Sequence, residues 1–84
     1  MSKYVKVFHH IMTRRSDSNV AFNDLCELLI RLGFDRRIRG DHHVFTMTGV
    51  EEIINLQPKH GMAKAYQVKQ VREMLLKYKL RMEG

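Results

Sequence analysis

Apolar residues near the start of the chain recur with a helical period. Tyr4, Val5, Phe8, Ile11 and Met12 fall on one face, which predicts an amphipathic helix from Ser2 to about Thr13. Arg14 to Asn19 is polar, and its Ser and Asp residues suit a turn and a helix cap. Phe22, Leu25, Cys26, Leu28, Leu29 and Leu32 then mark a second, broader apolar face. Gly33 follows at once, where a left-handed C-terminal cap belongs. Beyond it the period changes. Arg36 to Arg39 and His43 to Thr48 mix β-branched or aromatic residues with polar ones, and Gly40-Asp41 between them suits a hairpin turn. Thr48-Gly49 is the next break. Glu51 to Gln57 carries Ile53, Ile54 and Leu56 and reads as a third strand, ended by Pro58, which has no N–H for a ladder. Lys59 to Lys64 is a loop. The last helix is expected from Gln67 to about Lys79, with Val68, Val71, Met74, Leu75 and Tyr78 facing inward.

The predicted order is therefore α-α-β-β-β-α. Three antiparallel strands need cover on their apolar face, and the helices supply it. The expected fold is a two-layer α+β sandwich. With 84 residues, only about 60–65% of the unfolded chain's surface can be buried, enough for one thin core and no second domain. Cys26 is the only cysteine, so no internal disulfide can form. A buried thiol in a reducing cytoplasm is expected. No apolar run approaches the roughly 18–20 residues that cross a bilayer. Residues 1–10 lack the apolar core of a signal peptide, so a cytoplasmic protein without a membrane partner is expected.

Charge changes the picture more than composition does. Fifteen Lys and Arg against nine Asp and Glu leave +6, which suits an acidic partner. The excess is uneven. Residues 16–52 hold four basic and seven acidic groups, whereas residues 53–82 hold seven basic and one acidic. Lys59, Lys64, Lys69 and Arg72 are the leading candidates for phosphate contact. Lys69 and Arg72, three apart on a helix, are expected to share a face. Aromatic residues are sparse, which favours backbone contact over a base-stacking platform.

Five histidines invite a metal, but they fall as His9-His10, His42-His43 and His60. Adjacent histidines on a strand point to opposite faces, and there is no i,i+4 pair, so no metal is expected. His42-His43 is the more informative pair. It follows Gly40-Asp41 at a strand start, beside Arg36, Arg37 and Arg39. Cationic neighbours favour the neutral imidazole that a general base needs. Such a base can take the proton of a ribose 2′-OH while Arg or Lys stabilises charge at the attacked phosphate. His60, in Pro58-Lys59-His60-Gly61, lies where phosphate contact is also possible.

Leu32-Gly33-Phe34, Arg39-Gly40-Asp41-His42-His43-Val44-Phe45, Pro58-Lys59-His60-Gly61 and Tyr66-Gln67-Val68-Lys69-Gln70-Val71-Arg72 occur in that order. Together they resemble the HicA family of small bacterial toxins from type II toxin–antitoxin systems. The resemblance spans roughly residues 21–78. It implies a fold similar to the double-stranded-RNA-binding domain, with an α-β-β-β-α core. Residues 1–15 would then be a helical extension, 16–80 the domain and 81–84 a tail. It also implies a metal-independent, cofactor-free endoribonuclease that cleaves messenger RNA and is masked by a HicB-like antitoxin. The family motif maps its glycine onto Gly40 and its catalytic histidine onto His42, with His43 as the alternative. Asp41 stands where the family commonly has Ser. A carboxylate there either orients the histidine and favours its charged form, or repels the phosphate. Arg39, Lys59, His60, Lys64, Lys69 and Arg72 are the expected RNA-binding residues. A non-catalytic RNA-binding module of the same fold is the competing expectation. A helix-turn-helix DNA binder built on the first two helices leaves the strands unexplained.

Overall fold

The structure, a computed structural model, describes residues 2–13 and 17–82. The boundary expected between residues 15 and 16, part of the polar turn over 14–19 and the last two residues of the tail lie outside the described residues. The elements are α1 (Lys3–Met12), α2 (Phe22–Arg31), β1 (Asp35–Arg39), β2 (His42–Met47), β3 (Val50–Leu56) and α3 (Ala65–Lys77). Their order is the one that the hydrophobic pattern predicts, in a small α+β domain.

The helix ends have clear physical causes. Ser2 caps α1 by accepting the Val5 N–H through its hydroxyl at 3.3 Å. The cap expected for α2 among the Ser and Asp residues of 14–19 is not used. Ala21 is its N-cap, with no side-chain acceptor, and the Phe22 N–H instead donates to the Gly61 carbonyl at 3.0 Å. At the other end, Gly33 N–H donates to Ile30 and Phe34 N–H to Leu29, both at 3.0 Å. That pair of bonds is the Schellman arrangement, and Gly33 supplies the left-handed residue with φ +108°. α3 ends in the same way two residues before the expected stop. Leu80 N–H donates to Leu75, and Lys79 takes the left-handed position with φ 54°. α3 also starts two residues early, at Ala65, because the Gln67 side chain turns back to accept the Lys64 N–H at 3.3 Å.

The sheet is antiparallel in the order β1-β2-β3. Arg39 pairs with His42 and Arg36 with Phe45. His43 pairs with Leu56 and Phe45 with Ile54. The β1–β2 turn is two residues long. Gly40 has φ +61° and Asp41 does not have positive φ, the pattern of a type II′ hairpin. Successive strand residues face opposite ways. Phe45, Ile54 and Leu56 are fully buried beneath the helices with Leu25, Leu28, Leu29, Val68, Val71 and Leu75. Arg37, Arg39, His42, Val44, Thr46, Ile53 and Asn55 face the other way, into the open. The helices leave β1 largely uncovered: all five of its residues are exposed, and Ile38 is 55% exposed on the inner side. Arginines at 36, 37 and 39 keep this edge from pairing with another strand.

α1 packs on α2 and α3. Lys3 pairs with Asp24 at 3.0 Å, and the Arg31 guanidinium lies 4.3 Å from the Tyr4 ring centroid. The strongest tie comes from α3. Arg72 is 5% exposed and forks onto Asp17, with one bond at 2.7 Å and one at 3.1 Å. The same guanidinium donates to the Ile11 carbonyl at 3.3 Å. A buried charge left without its partner is strongly destabilising. Asp17→Ala is therefore expected to lower the unfolding free energy by about 3 kcal/mol, read by urea denaturation. An unchanged midpoint would contradict this role for the pair.

Candidate active site

Period-two alternation decides how the two adjacent histidines are used. His42 points to the open face of the sheet and its side chain is 49% exposed. Its Nδ1 lies 3.2 Å from Asn55 Oδ1. With Nδ1 donating there, Nε2 carries the lone pair of the neutral ring. Asp41 Oδ1 is 3.8 Å from Nε2, too far for a hydrogen bond, so the lone pair stays open. Asp41 is itself fixed, since Gln57 Nε2 donates to its Oδ2 at 2.7 Å. That bond, more than any other influence, holds the Asp41 carboxyl below its usual range. Gln57, Asp41, His42 and Asn55 thus form one chain of contacts around a single imidazole.

The surroundings are cationic. His42 shares a concavity of about 680 Å³ with Arg37, Arg39, Val44, Thr46, Ile53 and Asn55. Among the described residues neither arginine has an acidic partner within ion-pair distance. The wall therefore presents an open base nitrogen, two guanidiniums that can fork onto phosphate oxygens, and apolar surface for a ring. Ile53 and Asn55 were not expected at the site from sequence, and Arg37 entered there only as a cationic neighbour of the histidine pair. The alternation of β1 against β2 carried the signal for Arg37, because it shares a face with Arg39.

His43 faces inward. Its ring meets the Phe22 ring edge-on, with centroids 4.9 Å apart and planes at 82°. Its Nδ1 is buried with no hydrogen-bond partner. Burial, then the nearby Arg36 charge, holds its pKa below the ordinary 6.5. It packs as a neutral core-edge ring. Cys26 is buried too, and desolvation pushes its thiol up to about 11, so it is no nucleophile at neutral pH.

The expected phosphate-binding residues divide. Arg39 joins His42 on the sheet face. Lys59, His60 and Lys64 lie together in the loop before α3, where His60 and Gly61 both have positive φ and Lys59 and Met62 exchange backbone bonds. Lys69 is exposed on α3. Arg72 must be removed from the set: its guanidinium is buried against Asp17 and does not share the exposed face of Lys69. Lys77, another of the basic C-terminal residues, pairs with Glu52 at 3.4 Å.

Among the described residues, no group of three His, Cys, Asp or Glu is arranged to hold a metal. No described helix is long and apolar enough to cross a membrane. No protein-family model, curated protein or solved structure matches the chain.

The His43 environment has a consequence for stability. Its folded pKa lies below 6.5, so as pH falls the unfolded chain takes up that proton first. Stability is complete above the unfolded value and is lost as pH drops from there through the folded value. Urea unfolding from about pH 8 to about pH 5 should show this loss. His43→Phe, which keeps a ring against Phe22, should flatten it. An identical pH profile in the variant would contradict the packing role.

Proposed function

We propose that the protein is a HicA-type toxin, a metal-independent endoribonuclease of the bacterial cytoplasm acting on messenger RNA. The observation that carries this is the open face of the sheet, where His42 Nε2 stands beside Arg37 and Arg39 while Asn55 takes Nδ1. The ordered motifs from Leu32 to Arg72 support it independently, and the α-β-β-β-α core is read as the double-stranded-RNA-binding-domain arrangement.

In this mechanism Arg37 and Arg39 hold the phosphate of an RNA step against the sheet. His42 Nε2 removes the proton of the neighbouring ribose 2′-OH. The 2′-oxygen attacks phosphorus, the bond to the 5′-oxygen breaks, and that oxygen takes a proton from water. The products are a 2′,3′-cyclic phosphate and a 5′-hydroxyl. The guanidiniums stabilise the extra charge of the transition state. The ionised Asp41, held by Gln57, faces the imidazolium that forms at His42. Asp41 in place of Ser is therefore read as an orienting group. The type II′ turn accepts either residue, because only its first position requires positive φ.

Silencing needs only that the open face be covered. A HicB-like antitoxin with an acidic surface suits the cationic concavity and would be drawn to it quickly. A binding module without catalysis is the second reading, favoured by one observation: a carboxylate 3.8 Å from the base nitrogen also repels a phosphate.

Induction of the chain alone should arrest growth and degrade transcripts. His42→Ala should abolish both, with cleavage by the purified protein falling about 100- to 10,000-fold, and EDTA should leave the parent rate unchanged. Salt-dependent RNA binding with no product would favour the binding module. Arrest that survives His42→Ala and is lost in His43→Ala would move the base one residue along.

A further inference from the structure

An aromatic ring stands in water where α3 begins. Tyr66 is 63% exposed, although burying such a ring is a large gain for a small core. It lines a cleft of about 590 Å³ with Pro58, Lys59, Lys64 and Ala65. The Lys64 ammonium is 6.0 Å from the ring centroid. No carboxylate lines the cleft, and among the described residues neither lysine has an ion pair. An exposed π-face flanked by unpaired cations is what single-stranded nucleic acid requires: a surface for one base and charges for the phosphates beside it. The charge of an acidic protein would suit the lysines, but it would leave the ring unused.

The cleft is held in shape before any ligand arrives. Lys59 and Met62 exchange backbone bonds of 2.9 and 3.0 Å. The two residues between them, His60 and Gly61, have φ of 52° and 76°. The loop is then pinned to the start of α2 by Phe22 N–H to Gly61 and by Ala63 N–H to Val20.

A short chain of contacts links the cleft to His42. Asp41, the next residue, is bonded to Gln57, and Gln57 directly precedes Pro58 in the cleft wall. One strand can therefore leave the sheet face, pass the Gly40-Asp41 turn and enter the cleft.

Building on the ribonuclease reading, we propose that this cleft is a nucleotide subsite. Tyr66 stacks one base of single-stranded RNA outside the scissile step, and Lys59 and Lys64 hold the phosphates on either side of it. The aromatic contact that composition argued against is supplied by one ring, placed by the start of α3.

The test uses the full chain carrying His42→Ala, so that RNA stays intact, and a short single-stranded RNA containing 2-aminopurine. Binding should quench the 2-aminopurine through stacking. Tyr66→Ala and Tyr66→Leu in that background should remove the quenching and weaken binding about five- to hundredfold. Tyr66→Trp should retain both. Melting temperatures should not change, because the ring is exposed. Unaltered affinity and quenching in Tyr66→Ala, with cleavage by the His42-containing protein intact, would overturn the subsite and leave the ribonuclease standing. Absence of both RNA binding and cleavage in the parent would overturn the two together. Loss of hexaglutamate-peptide binding in Tyr66→Ala without loss of RNA binding would assign the cleft to a protein and overturn the proposal.

Discussion

A β-strand presents successive side chains to opposite faces, and in β2 this separates two adjacent histidines. Phe45 fixes which goes where. It is fully buried between β2 and the helices, and His43, two residues earlier, must share its side. His42 is left on the open face with Arg37, Arg39 and Asn55. A slip of one residue would bring Phe45 into water and bury His42. Core packing and the site's chemistry are thus two results of one register. The same constraint gives the histidines different company: a polar chain for His42, and the edge of Phe22 for His43.

The helical layer stabilises this register from one side only. β1 stays exposed, and the sheet's outer surface and its arginine edge are open to a ligand. Net charge alone says little about where that ligand binds. Arg72 and Lys77, among the C-terminal cations, are paired with Asp17 and Glu52. Among the described residues, the positive groups without an ion pair include Arg37 and Arg39 on the sheet, and Lys59, Lys64 and Lys69 before and along α3. The first two share a concavity with His42, and Lys59 and Lys64 flank an exposed aromatic ring.

Much of the fold was legible in the sequence, because apolar period and turn chemistry agree at each element. Gly33, Gly40-Asp41 and Pro58 mark ends that the structure keeps. Three things were not legible. Arg72 looks solvent-facing on its own helix, and its partner Asp17 is 55 residues away. The early start of α3 depends on a bend of the Gln67 side chain back to Lys64. The separate roles of His42 and His43 require the register of β2 against a buried layer, which the sequence leaves one residue uncertain. Asn55 joins the site only through its cross-strand position next to Val44.

The proposed reaction has His42 drive attack of a ribose 2′-oxygen on the adjacent 3′-phosphate. The most direct measurement is the end chemistry of RNA fragments made by the purified protein in EDTA. The expected result is a 2′,3′-cyclic phosphate on one fragment and a 5′-hydroxyl on the other. RNA with the 2′-hydroxyl removed at the cleaved step should remain whole. Fragments carrying 5′-phosphate ends, or cutting of the 2′-deoxy step at an equal rate, would contradict it.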